Sequence, residues 1–483
     1  MFKDVSPRLL VFLTAITWWL AGAFQIFPLG WIALVPFFLL VHELPKGERL
    51  KKGYLTGFVS FALINWWIIP TITRGSPAIG APPVLGFLLG IVAVAIIAAV
   101  HGLQVMATAA VARGNSRWLP LQMALVWTFI DWMRSLTIIA HTWGSLGITQ
   151  TSDWPLLSMG QHALTFLCAF IAFEIGYAIK NKSSWKSLTP AFLVLVWFHA
   201  VGYGIRMPFI LEFGSDGQPQ KLRVLVVQTG ASSLSKTQAG RGETPFVQAY
   251  RLTLDKIRQN KYDLIIWPET VLQLQKKNEK YSGLNWEILR GLKTNAKLLF
   301  GSDTVDENGK RWNEAILLDT DGKTQNYAKR RLVPFGERAP FAEYLPFLGM
   351  FAPQPMVEVG QKAPRLSLEY IGDEIRSDET LIRPRICFES CFPTFGEWLE
   401  LDHQEATEDH SLRAVLTNDE WFTGTEAPRQ HRAMAQLRAA EAGQPLIQSA
   451  NGAFAFFIDS RGRIIETTKN GEPQTLDLTV AVP

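Results

Sequence analysis

Two of the chain's three cysteines, Cys387 and Cys391, lie four residues apart in "RICFESCF" (385–392), with Glu389 between them. Their spacing fits a disulfide or metal pair, an inert buried thiol, or a nucleophile. Three cysteines build no disulfide framework, and Cys168 lies in an apolar run. A metal site would need further Cys or His ligands, and the nearest histidine, His403, sits in a charged stretch, so no metal or cofactor is expected. Two other stretches carry chemistry. "IIWPET" places Glu269 after an apolar run and a proline, and "YAKRRLVPFGE" places Lys329 and Glu337 on either side of an apolar loop. Taken singly, these are a solvated turn, a solvated basic face and a core cysteine. Together they supply a base, a cation and a thiol.

The elements that must position them read as strands. "LRVLVVQ" (222–228), "YDLIIWPE" (262–269), "AKLLFGSD" (296–303), "NEAILLD" (313–319) and "RPRICFE" (383–389) are short β-branched or apolar runs bounded by polar residues. "AVLTND" (414–419), "PLIQSANG" (445–452) and "AFAFFID" (453–459) follow. Helical patterns such as "TPFVQAYRLTLDKIRQN" and "QHRAMAQLRAAEAG" separate some of them. This alternation implies an α/β domain with functional residues at strand ends. It contains no Gly-rich phosphate loop and no dinucleotide fingerprint.

The N-terminal half differs in kind. Residues 1–215 hold 14 Lys/Arg against 7 Asp/Glu, whereas the remainder holds 33 against 36. A half that is both basic and apolar points to loops beside a membrane more than to a nucleic-acid surface. Seven apolar segments are legible, at about 9–24, 29–41, 54–69, 84–111, 119–139, 156–179 and 190–210. Lys3, Arg8 and alternate loops hold the cations, while the intervening loops hold only Arg74. The positive-inside rule then places the N-terminus in the cytoplasm and everything after about residue 213 on the other side. Cleavage at Ala21–Ala23 would leave that side unchanged. Asp131 and Arg134 in "FIDWMRS" share a helix face within the fifth segment, as a functional charge pair or as a neutralised packing pair. The expected organisation is a transmembrane helical bundle over 1–212 of about seven helices, then a catalytic domain over 213–483.

With these residues in view, the chain resembles the apolipoprotein N-acyltransferases, membrane-bound members of the nitrilase or carbon-nitrogen hydrolase superfamily. The resemblance rests on "FIDWMRS", "WGSLGITQ", "IIWPET", "LVPFGE", "ICFES", "TNDEWF" and "QLRAAEAGQPL", in family order along nearly the whole chain. It implies a nitrilase-like α-β-β-α sandwich, with Glu269 as general base, Lys329 as charge stabiliser and Cys387 as nucleophile. A thiolate both attacks and leaves well, and a helix N-terminus or a nearby lysine lowers a thiol's pKa. Cys387, at a strand-to-helix turn, is expected to gain from both. Glu337 would position the base or the lysine, and Phe388 and Glu389 would shape the site. Ordinary loop charges remain an alternative reading of Glu337 and Glu389.

The implied reaction moves an acyl chain from a phospholipid, typically phosphatidylethanolamine, to Cys387. The α-amino group of an apolipoprotein's N-terminal diacylglyceryl-cysteine then takes it. The implied setting is a monomer in a bacterial inner membrane, multi-pass, with its catalytic domain periplasmic and no nucleic-acid partner. "RAPFAEYLPFLGMFAPQP" reads independently as a membrane-dipping lid, through Phe341, Tyr344, Leu345, Phe347, Leu348, Met350 and Phe351. The alternative is a loop packed over the domain core.

Three departures stand out. Phe388 occupies a position where many members carry Tyr. Lys236 is followed by Thr237 rather than Trp. An eighth membrane helix is implied beyond the domain, whereas "LDLTVAVP" ends the chain where the final strand is expected. The rival readings are a membrane-tethered amidohydrolase using water as acceptor, a transporter with a sensor domain, and a catalytically dead lipoprotein-binding relative. A single intramembrane charge pair without a half-to-half repeat argues against transport.

Overall fold

The computed structural model describes residues 5–42, 44–136, 140–182, 185–212, 220–230, 244–278, 280–361, 365–368, 380–393 and 411–482. Lys236, Thr237 and His403 lie outside them. The chain divides into two compact units. The first comprises Met1–Pro77, Ala81–Gly214 and Thr425–Glu441; the second comprises Ala78–Gly80, Ser215–Gly424 and Ala442–Pro483.

The first unit is helical, and each apolar segment read from the sequence contains a helix. The helices are Pro7–Ala23, Phe27–Gly30 with Val35–Val41, Lys46–Ile64 with Ile68–Gly75, Pro83–Val111, Leu119–Leu136, Trp154–Leu157 with Gln161–Lys180, and Thr189–Glu212. Among the described residues, three helices are long and apolar enough to cross a membrane, or four if the pair bent by 49° at 64–68 forms one span. Small residues let two helices approach closely. A Cβ added to Gly57 would lie 2.8 Å from the Cα of Gly102 on Pro83–Val111.

Asp131 and Arg134 pair at 3.0 Å, both buried. They also tie down irregular backbone. Asp131 Oδ2 accepts from the Ser145 hydroxyl at 2.9 Å, and Arg134 donates to the Trp143 carbonyl at 3.3 Å. The Trp18 indole reaches the Gly144 carbonyl at 2.9 Å, and Thr165 Oγ1 accepts from the Gly147 N–H. Residues 142–151 are buried non-helical or 3₁₀ backbone, tolerable inside an apolar bundle because side chains satisfy these polar groups.

Among the described residues, the second unit carries fourteen strands in two sheets: β1 Gln220–Gln228, β2 Leu264–Ile266, β3 Leu272–Lys277, β4 Lys280–Ser282, β5 Lys297–Asp306, β6 Arg311–Leu318, β7 Thr324–Ala328, β8 Leu366–Leu368, β9 Thr380–Ile386, β10 Ser411–Asn418, β11 Leu446–Asn451, β12 Phe456–Ile458, β13 Ile464–Thr467 and β14 Gln474–Val482. One sheet runs β14-β1-β2-β5-β3-β4, with β6 and β7 added beyond β5; the other runs β13-β12-β11-β10-β9-β8. Their inner faces share one core, in which Val224, Val226, Ile266 and Leu299 meet Ile382, Leu412, Leu416 and Ile447. The outer face of the first sheet forms a second core with the helices Pro245–Ile257 and Leu284–Arg290. The helix Ala427–Ala442 is the crossover between parallel β10 and β11. The unit is the nitrilase-like α/β domain expected from the motifs.

Ser449 Oγ donates to the Val227 carbonyl at 2.6 Å, and Thr229 bonds Asn451 at 2.8 Å, so hydrogen bonds as well as apolar contact fix the two sheets. That matters for the site, whose members come from both.

Candidate active site

Glu269 leaves the sheet in the short turn between β2 and β3. The Trp267 N–H donates to the Leu299 carbonyl, Gly301 N–H to Pro268, and Val271 N–H to Gly301. This turn lies so close to β5 that a Cβ on Gly301 would stand 2.5 Å from Glu269 Cα. Position 301 therefore admits only glycine without backbone movement. Lys329 follows β7, and its own N–H donates to the Asn313 carbonyl at 2.8 Å. Cys387 follows β9 and opens a 3₁₀ turn, Cys387–Cys391, with φ +48°, a conformation costing a non-glycine residue roughly 1–3 kcal/mol.

These elements bring Lys329 into contact with both Glu269 and Glu337. Lys329 Nζ lies 2.9 Å from Glu337 Oε1 and 3.3 Å from Glu269 Oε1. Asn313 Nδ2, from β6, donates to both carboxylates, at 2.8 Å and 2.9 Å. The Asn418 N–H at the end of β10 binds Glu269 Oε2 at 2.8 Å, and the Val333 N–H binds Glu337 Oε2 at 2.8 Å. Glu269 and Lys329 are buried. Burial raises the Glu269 carboxyl above its ordinary range; the Lys329 charge opposes this and the Glu337 charge adds to it. Burial works against the Lys329 ammonium too, but Glu337 and then Glu269 outweigh it and hold its pKa above the usual lysine value.

Cys387 is 9% exposed. Burial and then the Glu269 charge push its thiol well above the ordinary range, against the opposing pull of Lys329 and the Thr417 hydroxyl. The expectation of a lowered thiol pKa is therefore corrected. The helix start is one five-residue 3₁₀ turn, and desolvation beside a carboxylate outweighs the lysine. The resting side chain is a thiol.

Glu389 holds the turn in place. Its Oε1 accepts from the Tyr327 hydroxyl at 2.7 Å and from the Arg330 and Arg331 N–H groups at 2.7 and 3.2 Å. Its Oε2 accepts from Ile386 N–H at 2.8 Å. One carboxylate thus joins the backbone before Cys387 to the backbone after Lys329. Phe388 packs edge-on against Phe392 with ring centroids 4.9 Å apart. Cys391 is fully buried.

The apolar loop after Glu337 projects outward. Tyr344 is 81% and Met350 72% exposed; Phe341, Leu345, Phe347 and Phe351 are exposed as well, and Leu348 is half-buried. A loop packed over the domain core does not describe it. Its base is pinned where Arg338 donates to the Val357 carbonyl at 3.2 Å and the Val357 N–H donates to Glu337 at 3.0 Å.

Sequence reasoning missed Asn313, Asn418, Tyr327 and Gly301. Tyr327 carried a usable signal, since it precedes Lys329 by two residues on an alternating strand. Gly301 interrupts the apolar run "LLFGSD", a mark of close backbone approach. Nothing in the sequence singles out Asn313.

The chain matches two family models, the apolipoprotein N-acyltransferase N-terminal domain over residues 13–174 and carbon-nitrogen hydrolase over residues 236–482. An apolipoprotein N-acyltransferase from Geobacter metallireducens is 28% identical over 90% of this chain and 82% of its own length. Those of Vibrio cholerae and Vibrio vulnificus are 26% and 27% identical, covering 99% and 97% of this chain and 91% and 90% of theirs.

Proposed function

We infer the reaction from the premise that this chain belongs to the carbon-nitrogen hydrolase family, in its membrane-bound apolipoprotein N-acyltransferase branch. It is an acyltransferase of lipoprotein maturation, using lipoprotein and phospholipid substrates. The amidohydrolase alternative lacks the support that the N-terminal match gives to transfer.

The observation that supports a mechanism is the cluster of Glu269, Lys329 and Glu337 beside a buried thiol at Cys387. Glu269 takes the thiol proton as the sulfur attacks the ester carbonyl of a phospholipid. Lys329, with the Phe388 N–H, stabilises the oxyanion of the tetrahedral intermediate. As the C–O bond breaks, Glu269 returns the proton to the leaving lysophospholipid alkoxide, and the acyl chain remains on Cys387 as a thioester. The α-amine of a diacylglyceryl-cysteine then attacks that thioester. Glu269 accepts the amine's proton and returns it to the departing Cys387 sulfur, which leaves the new amide. Glu337 and Glu389 act by positioning, through Lys329 and through the backbone around Cys387.

The protein is a membrane protein. We place it in a bacterial inner membrane as a multi-pass chain, helical bundle 1–212 followed by a periplasmic catalytic domain 213–483, working as a monomer. The cation-rich alternate loops support that orientation. The exposed Phe341, Tyr344, Leu345, Phe347 and Phe351, with half-buried Leu348, suit a loop that enters the lipid interface. Phosphatidylethanolamine is the proposed donor.

Intact-protein mass spectrometry after incubation with phospholipid in detergent tests the reading. An acyl mass on Cys387 is expected, removable by hydroxylamine, absent from Cys387→Ala, and discharged to a diacylglyceryl peptide amine. Rapid loss to water with no transfer to the amine would overturn it in favour of hydrolysis.

A further inference from the structure

Glu426 sits inside the first unit and is 8% exposed. Its Oε1 accepts two indole N–H groups, from Trp66 at 2.7 Å and from Trp19 at 3.2 Å. Trp19 belongs to the helix Pro7–Ala23, and Trp66 stands at the bend between Lys46–Ile64 and Ile68–Gly75. Among the described residues, Oε2 accepts no hydrogen bond and no Lys, Arg or His forms an ion pair with the carboxylate. Glu426 also precedes the helix Ala427–Ala442, and its backbone carbonyl accepts from Arg429 and Gln430. Its side chain turns to the indoles. The charge therefore has neutral donors only, on one oxygen, where a buried carboxylate normally finds a cation.

The surroundings suit a cation that arrives with a ligand. Trp66 is 37% exposed and Trp19 partly so, beside the carboxylate. A primary ammonium could donate to Oε2 and lay its remaining charge over an indole, gaining a charge-assisted hydrogen bond and cation–π attraction together. A quaternary ammonium would gain only the second.

We propose that Glu426, Trp19 and Trp66 form a docking site for the primary ammonium group of a lipid substrate. The proposal rests on the acyltransferase reading and deepens it. Two substrates of that reaction carry such a group: a donor with an ethanolamine headgroup, and the acceptor's α-amine in its protonated form. The site holds the group before chemistry, so its loss is expected in KM and not in kcat.

The test uses the full chain in detergent, comparing the parent with Glu426→Gln, which keeps an acceptor for the indoles but loses the charge. In one arm, acyl-enzyme formation is titrated with phosphatidylethanolamine and with phosphatidylglycerol of the same acyl chains. In the other, pre-formed acyl-enzyme is discharged by a diacylglyceryl-cysteinyl peptide and by hydroxylamine, a neutral nucleophile near pH 7. A rise on the order of tenfold in the ethanolamine-to-glycerol KM ratio assigns the site to the headgroup. A similar rise in the half-saturating peptide concentration, relative to hydroxylamine, assigns it to the acceptor amine. Trp66→Phe keeps the carboxylate but offers the cation a weaker aromatic face, so it should raise the same ratio by less than Glu426→Gln does. Unchanged ratios in Glu426→Gln, or an equal loss with every substrate in both variants, would overturn the proposal. Absence of any acyl mass on Cys387 in the parent would instead overturn the acyltransferase reading itself.

Discussion

Glu269 and Glu337 never touch each other, yet their carboxylates share two donors: Lys329 Nζ at 3.3 and 2.9 Å, and Asn313 Nδ2 at 2.8 and 2.9 Å. A buried and a half-buried carboxylate are held near one ammonium and one amide. In the proposed mechanism the base is therefore tuned by a residue that need not meet the substrate.

Glu337→Gln tests that tuning through pH. The Glu337 charge raises the Glu269 pKa, and its removal also leaves Lys329 to pair with Glu269 alone. Both changes favour the ionised base. The acid limb of acyl-enzyme formation, set by deprotonation of Glu269, should move to lower pH, while the plateau rate falls as Lys329 loses its closer partner. An acid limb that stays in place or moves upward in a pH–rate profile would contradict this coupling.

Asn313→Ala should move the same limb the other way. The amide donates to the Glu269 carboxylate and favours its charged form, so its loss raises the base's pKa further. Each hydrogen bond to a buried charge contributes about 1.5–3 kcal/mol, so the rate near neutral pH should fall by roughly tenfold or more. Opposite displacements in the two variants would separate positioning from general loss of structure.

Gly301→Ala inserts a methyl 2.5 Å from Glu269 Cα and 2.6 Å from Thr270 N, both backbone atoms that no rotamer can move. A cost of about 1–3 kcal/mol in stability is expected, with the Glu269 turn displaced outward. Thermal denaturation in detergent should show a lower Tm, and acyl-enzyme formation should fall more than the lost stability explains. A variant that keeps the parent's Tm and rate would show that the turn tolerates the shift.

Asp131→Asn removes the charge facing Arg134 in the first unit. A buried cation left without its partner costs about 3–5 kcal/mol. The amide can still meet Ser145, so the damage should centre on Arg134 and the Trp143–Gln150 backbone that it helps hold. The double change Asp131→Asn with Arg134→Met should recover much of the loss in Tm; no recovery would argue that the pair does more than neutralise itself.

The motifs made much of this molecule legible. Strand ends at Glu269, Lys329 and Cys387 could be read because β runs carry a local signature in residue type, and an unusual side chain at the end of such a run stands out. The asymmetry of the two halves was equally visible, because hydropathy and loop charge are sums over neighbours in the chain. Glu337 and Glu389 were legible as candidates, but their partners were not. The two carboxylates do different jobs, one on Lys329 and one on backbone N–H groups, and only hydrogen-bond geometry separates them.

The sequence by itself picked out an apolar half and an α/β half, Glu269, Lys329 and Cys387 at the ends of strands, and the apolar loop after Glu337, since each depends on residue type and short-range order. Tertiary structure decided which groups surround them. Asn313 meets Glu269 because β6 pairs with β5 in one register, and Asn418 meets it because the two sheets stack face to face. Tertiary structure also reversed the expected state of Cys387. A nearby lysine is visible in a motif, but desolvation depends on every atom packed around the sulfur, and here burial and the Glu269 charge outweigh the lysine. For the same reason Glu426, an ordinary acidic residue in the sequence, becomes a carboxylate facing two indoles only once distant helices have packed around it.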